Sequence, residues 1–154
     1  MNILVIFATY SGGTQIASAT LAEALKAEGH SVTVKGPAET QTDELVKSDA
    51  VVLCTPTWDF EGKEGQPHED YVGFMEKTKG ASLEGMPFAV LALGDSSYTH
   101  FCGSAEVLEA YVTSVGGILK VPSLKIDGYF FSQEKHTGSI REWAKSFSGT
   151  LSSK

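Results

Sequence analysis

The chain has 154 residues with 12 basic and 19 acidic side chains, which gives a formal net charge of −7. That length suits one domain with its own core, and we expect a single domain over residues 1–154. Because nucleic acids and anionic membranes attract basic proteins, the acidic balance excludes both as main partners. The 42% hydrophobic and 20% charged residues are typical of a folded globular protein.

The sequence contains no sign of membrane insertion or secretion. No apolar run approaches the ~20 residues of a membrane-spanning helix, and no Lys or Arg precedes Lys26 to begin a secretory signal. We therefore expect a cytoplasmic location. Cys54 and Cys102 are too few for a disulfide framework, and we expect both to be free thiols. The His and Cys residues lack metal-ligand spacing, so no metal site is expected.

Apolar runs of strand length alternate with helical patterns along the chain. The predicted strands are residues 3–8, 31–35, 51–54, 87–93 and a last strand at 118–121 and 124–126 that is interrupted at Pro122. The predicted helices are residues 14–28, 69–79, 104–115 and a last one with Ile140, Trp143, Ala144 and Phe147 on one face. We expect Val72, Met75 and Tyr71 to face the core, and Gly149 to end the last helix.

This alternation predicts an α/β fold, in which right-handed crossovers build a doubly wound, five-stranded parallel sheet covered by helices on both faces. In such open sheets, ligands bind at the carboxyl ends of the strands. The loops after the first, third and fourth strands are therefore expected to carry the function. They are residues 9–14, 55–68 and 94–103.

The first loop, Thr9-Tyr10-Ser11-Gly12-Gly13-Thr14, combines hydroxyl side chains with two glycines ahead of a helix. Glycines allow backbone N–H groups to approach an anion closely, and the helix N-terminus adds unpaired donors. The loop has no Lys or Arg and matches neither G-x-x-x-x-G-K-[ST] nor G-x-G-x-x-G. It therefore fits a permanently bound monophosphate better than a transferred one. A helix N-cap with a tight turn explains the same residues without a ligand.

Aromatic residues follow two further strands. Trp58 follows the third strand and Tyr98 follows the fourth, so both are expected at one edge of the sheet. Two aromatic side chains placed there can sandwich a flat ring. A core or lid position is the commoner role of a lone Trp. Together with the first loop, however, the pair predicts a ligand with a flat aromatic head and a monophosphate tail.

These segments resemble the flavodoxin family, most closely its short-chain group, over essentially the whole chain. The resemblance rests on the 9–14 loop, Thr57-Trp58, Gly94-Asp95-Ser96-Ser97-Tyr98 with Phe101-Cys102, and Leu124-Lys125-Ile126-Asp127-Gly128. No large insertion interrupts the last strand. The resemblance implies a three-layer, flavodoxin-like sheet of strand order 2-1-3-4-5. It also implies a tightly but non-covalently bound FMN that serves an electron-transfer protein rather than an enzyme.

The resemblance further implies which residues hold FMN. Thr9, Ser11 and Thr14 would bind the phosphate together with the loop amides. Trp58 and Tyr98 would flank the isoalloxazine ring, and the backbone at 93–95 and 102 would meet its pyrimidine edge. The complete expected set is Thr9, Tyr10, Ser11, Gly12, Gly13, Thr14, Pro56, Thr57, Trp58, Asp59, Phe60, Leu93, Gly94, Asp95, Tyr98, Phe101 and Cys102.

Acidic residues crowd the loop around Trp58. They are Asp59, Glu61, Glu64, Glu69 and Asp70, against Lys63 alone. Negative charge beside an anionic reduced flavin predicts a low-potential carrier. The acidic charge also predicts docking on basic faces of redox proteins, a flavodoxin-reductase-type donor and electron-acceptor enzymes. We expect the chain to be a monomer. Solubility alone would also account for the acidic charge.

Four features depart from the family pattern. Asp59 stands where relatives often have Gly, and a turned peptide there is easier for Gly, so Asp59→Gly is expected to stabilise the one-electron-reduced flavin. Tyr10 is larger than the usual residue, and it either covers the phosphate or contacts a partner. The 59–68 loop is longer than in short-chain relatives. His100 is a surface residue or a group that titrates near the flavin.

Other functions are compatible with the same fold. An FMN-dependent reductase of the quinone reductase type would need an open flavin face and usually an oligomer. A flavodoxin-like accessory protein without a general carrier role stays open. A receiver domain would need an Asp at the end of the third strand, where this chain has Cys54.

Overall fold

The computed structural model of the chain describes residues 1–10, 12–60, 63–94 and 102–151. Its strands are β1 (Asn2–Phe7), β2 (Ser31–Lys35), β3 (Ala50–Pro56), β4 (Trp58–Phe60), β5 (Lys63–Gln66), β6 (Pro87–Gly94), β7 (Ile118–Leu119) and β8 (Leu124–Asp127). Its helices are α1 (Gly13–Ala27), α2 (Thr42–Lys47), α3 (Asp70–Thr78), α4 (Gly103–Ser114) and α5 (Gln133–Leu151), with short 3₁₀ turns at Pro37–Glu39 and Tyr129–Phe131.

The central sheet is parallel and has the order β2-β1-β3-β6-β7, with β8 also paired to β6. Strands β7 and β8 together are the interrupted fifth strand, so the predicted order 2-1-3-4-5 is confirmed. The interruption falls around Pro122, because a proline has no N–H to donate to the neighbouring strand. Before it, β7 pairs with the start of β6, and after it β8 pairs with the end.

Helices cover both faces of the sheet. Successive side chains of a strand point to opposite faces, so Leu4 and Ile6 of β1 pack in one core and Ile3 and Val5 in the other. Side chains of α3 and α4 complete the first core, and those of α1 and α5 complete the second. Because both faces are buried, the central strands are continuous apolar runs, which is why the sequence predicted them. Among the described residues, no helix is both long enough and apolar enough to cross a membrane.

Several details differ from the expectations. Val72 is 50% exposed, so its inward placement was wrong. Tyr71 is buried as expected, Met75 packs against the core, and Phe74 takes the place expected for Val72. Helix α5 continues through Gly149 because Leu151 beyond it is buried, and this packing outweighs the roughly 1 kcal/mol preference of a helix against glycine. The short helix α2 was not predicted. It begins with a capping box in which Gln41 and Glu44 each bind the other's backbone amide.

A polar contact joins the chain start to the last helix at the edge of the sheet opposite the strand carboxyl ends. The N-terminal ammonium of Met1 lies 3.3 Å from His30 Nδ1, and His30 Nε2 lies 2.7 Å from Ser148 Oγ. Burial lowers the pKa of His30, and the charge of the ammonium lowers it further, against a raising effect of Glu28. This imidazole is therefore held in its neutral form more strongly than a free histidine.

Candidate functional site at the carboxyl ends of the strands

The chain winds in opposite directions on the two sides of β1, because β2 lies on one side and β3 on the other. This arrangement opens a crevice at the carboxyl ends of β1 and β3, the usual place for a ligand in such sheets. The loop after β1 supplies Thr9, Tyr10 and Gly12 to this edge, and β3 leads directly into Trp58. Strand β6 ends beside β3 at Gly94. The described residues of the segments after β1, β3 and β6 thus lie at one edge of the sheet, as predicted.

The loop after β1 makes a turn that only glycine adopts easily. Gly12 has φ 91° and ψ −12° immediately before α1. Its N–H donates to Thr9 Oγ1 at 2.9 Å, so Thr9 shapes the loop and keeps its own hydroxyl proton for another acceptor. Helix α1 has no side-chain cap on its first amides and no acid in its first turn. These amides and the positive end of the helix dipole suit a phosphate.

The start of α1 packs tightly against a segment that the sequence analysis missed. A methyl group at Gly13 would lie 3.1 Å from Phe130 Cε2 and 3.3 Å from Leu93 Cδ2. Gly13 therefore allows the helix to approach the 3₁₀ turn after β8. Phe130 is 50% exposed at this edge. A signal was present in the sequence, because three consecutive aromatic residues follow Asp127-Gly128 at the end of the last strand.

Trp58 belongs to a stack of three rings. The Tyr10 ring lies 4.2 Å from Trp58 and 4.0 Å from His68 between ring centroids, with interplanar angles of 32° and 21°. Trp58 is 43% exposed and Tyr10 is 39% exposed, whereas His68 is buried. The Tyr10 hydroxyl accepts the N–H of Glu69 at 3.2 Å. No role was predicted for His68, since a lone His in a loop follows no recurring pattern.

The carboxylates of Glu69 and Asp70, which follow β5, affect the pKa of Tyr10 in this stack. Burial raises the pKa of Tyr10, and the charges of Glu69 and Asp70 raise it further, while the hydrogen bond from the Glu69 amide lowers it. Both acidic side chains are exposed. Two of the five acids predicted to crowd the Trp58 loop therefore do make the surroundings of this loop negative.

The end of β6 and the start of α4 leave no room for a side chain at Gly94. A methyl group there would lie 2.8 Å from Cys102 Sγ and 3.1 Å from Cys102 N. Cys102 begins α4 with φ 50°, and among the described residues it is the one non-glycine residue with a positive φ. Its thiol donates to the Ala92 carbonyl at 3.5 Å. Burial raises the pKa of Cys102 to about 11, although the Thr57 hydroxyl opposes this rise, so the thiol is unreactive.

Thr57 links the second and third loops. Its Oγ1 lies 2.7 Å from Ser104 Oγ in the first turn of α4, and 3.4 Å from the position of a Gly94 methyl group. Pro56 pairs with Leu93 in the sheet next to it. The structure thus brings Pro56, Thr57, Leu93, Gly94 and Cys102 together, as the sequence analysis expected.

Tyr71 of α3 packs in the core against the ends of β1 and β3. It is fully buried, and its hydroxyl lies 2.9 Å from the Ile6 carbonyl and 2.8 Å from the Cys54 carbonyl. One side chain therefore joins the ends of β1 and β3, which carry the first two loops. Cys54 and Cys102 are both free and buried, so their prediction as free thiols is confirmed. Burial raises the pKa of the Cys54 thiol far above its usual value.

Part of the expected set lies outside the described residues. These residues are Ser11, Asp95, Tyr98 and Phe101. His100, which is not in that set, also lies outside the described residues. Asp59 and Phe60 are described only as the backbone of β4, which pairs with β5 in an antiparallel ribbon. This ribbon occupies most of the 59–68 segment, which was predicted as a loop. The predicted pairing of Trp58 with Tyr98 around a flat ring stays a prediction.

Comparison with known proteins agrees with this geometry. The Flavodoxin family model matches residues 5–143. The flavodoxin of Maridesulfovibrio salexigens is 30% identical over 126 residues, which cover 81% of this chain and 85% of that protein. The sulfite reductase (NADPH) flavoprotein alpha-component of Vibrio parahaemolyticus is 26% identical over 150 residues, which cover 97% of this chain and 23% of that protein.

A solved structure shows the same fold. Oxidised flavodoxin 2 from Bacillus cereus superposes with a TM-score of 0.86 at 24% identity, covering 97% of this chain and 99% of that one. From the family model and the relative at 30% identity, we conclude that this chain belongs to the flavodoxin family of FMN-binding electron-transfer proteins.

Proposed function

We propose that the chain is a low-potential, one-electron carrier that holds FMN tightly and non-covalently at the carboxyl ends of β1, β3 and β6. One observation carries this proposal. Tyr10 of the first loop stacks on Trp58 of the second, so an anion-binding helix start and a half-exposed indole face one crevice. When bound, FMN supplies the one-electron chemistry, and the protein binds it and sets its potential.

The residues present fit the two ends of FMN. The phosphate would meet the first amides of α1 and the hydroxyls of Thr9 and Thr14, with Ser11 added from the family match. No basic side chain occurs in this loop, so the phosphate would keep its charge and stay in place. The flat ring would lie on Trp58, whose indole is 43% exposed, and Tyr98 would cover its other face.

Backbone groups would recognise the ring edge. The backbones of Gly94 and Cys102 approach each other closely, and their main-chain groups would face the ring edge. Main-chain donors and acceptors with fixed positions discriminate between ligands better than mobile side chains do. The remaining expected contacts are Gly12, Gly13, Pro56, Thr57, Asp59, Phe60, Leu93, Asp95 and Phe101.

The acidic surroundings account for a low potential. Each electron that the site takes up adds negative charge, and the carboxylates of Glu69 and Asp70 oppose it, as they do the ionisation of Tyr10. The same charges, with the net charge of −7, favour docking on basic faces of a reductase-type donor and of acceptor enzymes. We further propose that the chain works as a cytoplasmic monomer with a single domain.

Ligand binding tests this proposal directly. Apoprotein is titrated with FMN and with riboflavin, and bound ligand is followed by quenching of flavin fluorescence. We expect tight binding of FMN and weaker binding of riboflavin, because riboflavin lacks the phosphate that α1 would hold. Trp58→Ala should weaken both ligands. Its matched control is Trp143→Phe, which alters the other tryptophan. Trp143 lies on α5, and its Nε1 donates to the Pro122 carbonyl. This control should change the affinity for neither ligand. Absence of FMN binding by the folded protein refutes the proposal.

A further inference from the structure

The three-ring stack links the loop after β1 to the segment after β5. Tyr10 is the middle ring, with His68 on one face and Trp58 on the other. Trp58 forms one end of the stack, and among the described residues Tyr10 is the only ring that contacts it. Trp58 is 43% exposed, so part of the indole surface is open to solvent.

The far end of the stack is anchored to the sheet. The His68 amide donates to Thr55 Oγ1 of β3 at 2.9 Å, and His68 Nδ1 accepts the amide of Asp70 at 3.0 Å. His68 is 8% exposed, so its ring has little freedom to move. Tyr10 is fixed in turn by this ring and by the Glu69 amide, which donates to its hydroxyl at 3.2 Å. Strand β3 therefore holds His68, His68 holds Tyr10, and Tyr10 contacts Trp58.

Trp58 itself has weaker backbone support. It lies in β4, a three-residue strand whose pairing with β5 is irregular between Trp58 and Phe60. A 43% exposed indole on such a short ribbon would populate several rotamers if no neighbour held it. Immobilising a side chain before a ligand arrives removes an entropic cost from binding.

We infer that Tyr10 is a positioning residue, whose ring holds the indole of Trp58 in the orientation that receives the flat ring of the cofactor. This inference rests on the proposed function, and it assigns to Tyr10 a role at the ring end rather than at the phosphate. A contact of Tyr10 with the phosphate would favour FMN over riboflavin. Support of Trp58 favours both ligands equally, because both carry the same ring.

The test uses the full chain with Trp143→Phe, so that all tryptophan emission comes from Trp58. In this background, Tyr10→Leu removes the middle ring and Tyr10→Phe keeps it. In the apoprotein, we expect Tyr10→Leu to speed the decay of Trp58 fluorescence anisotropy. Tyr10→Phe should leave this decay nearly unchanged. Circular dichroism verifies that each variant is folded.

Binding then locates the effect on the ligand. We expect Tyr10→Leu to weaken FMN and riboflavin by the same factor, roughly threefold to tenfold. Tyr10→Phe should restore most of the affinity. Loss of FMN affinity alone would assign Tyr10 to the phosphate and overturn the inference, as would an unchanged anisotropy decay in Tyr10→Leu. If the background protein binds neither ligand, the proposed function fails and the role of Tyr10 at the cofactor fails with it. If binding is intact but insensitive to Tyr10→Leu, only the inference fails.

Discussion

Tyr71→Phe removes one hydroxyl that joins the ends of β1 and β3 beneath the crevice. The hydroxyl has a single proton, shared between the carbonyls of Ile6 and Cys54 at 2.9 and 2.8 Å. The Cys54 carbonyl also accepts the Ala8 amide at 3.4 Å, so it keeps one partner when the hydroxyl is removed. The benzyl ring is unchanged by the substitution, and its fully buried packing should persist.

The size of the effect follows from burial. A net hydrogen bond contributes about 1 kcal/mol, and this hydroxyl lies between two buried strand carbonyls, so we expect its removal to cost about 1–2 kcal/mol. Tyr111→Phe is a matched control in the same core. Its hydroxyl lies 2.6 Å from Thr78 Oγ1, which also donates to the Phe74 carbonyl at 2.8 Å. Thr78 therefore keeps a partner, and the control should lose about 1 kcal/mol or less.

Urea unfolding of both apoproteins measures the two losses. We expect a lower midpoint for Tyr71→Phe than for Tyr111→Phe, with unchanged slopes, since neither variant alters the surface exposed on unfolding. Apoprotein is used because a bound cofactor would add its own stabilisation. Equal stability of Tyr71→Phe and wild type, or a larger loss in Tyr111→Phe, would refute the reasoning that this hydroxyl joins the two strands.

Three further predictions test other parts of the account. Gly94→Ala should cost about 1–3 kcal/mol of unfolding free energy and weaken FMN, because its methyl group would lie 2.8 Å from Cys102 Sγ. In urea titrations, Gly73→Ala in α3, with nothing within 4 Å of the new methyl group, should instead be neutral or stabilising. The lowered pKa of His30 gives stability that is present above its unfolded pKa of about 6.5 and is lost as pH falls through the folded value. His30→Gln should therefore lose less stability than wild type between about pH 8 and about pH 5, and an equal loss in both would contradict this. Asp59→Gly should raise the first reduction potential by on the order of 50 mV in an anaerobic titration, because a turned peptide that stabilises the one-electron-reduced flavin is easier for Gly. An unchanged potential would show that the peptide after Trp58 does not limit this reduction.

The sheet was predictable because its pattern is local. The runs at 51–54 and 87–93 are continuous and apolar, and the structure buries both on two faces. The break at Pro122 was equally visible, since a missing N–H is a property of the residue itself. The glycine turn before α1 and the aromatic residue after β3 were recognised for the same reason.

The supports of the site were less visible because they depend on distant parts of the chain. His68 becomes meaningful only when the fold brings it against Tyr10, and the close packing at Gly13 depends on Phe130 far along the sequence. The ribbon was hard to predict because β4 has only three residues and β5 contains no large apolar residue. Val72 was misplaced because a short helix tolerates several apolar faces, and packing selected Tyr71 and Phe74.

Stepwise anaerobic reduction of the FMN-loaded protein tests most directly whether the chain is a one-electron carrier. The visible absorption spectrum is recorded at each step. We expect two resolved one-electron steps, the second at low potential because the carboxylates of Glu69 and Asp70 oppose added negative charge. The separation of the two steps should shrink in Glu69→Gln/Asp70→Asn. A single two-electron step would contradict a one-electron carrier, and it would favour a flavin-dependent reductase on the same fold.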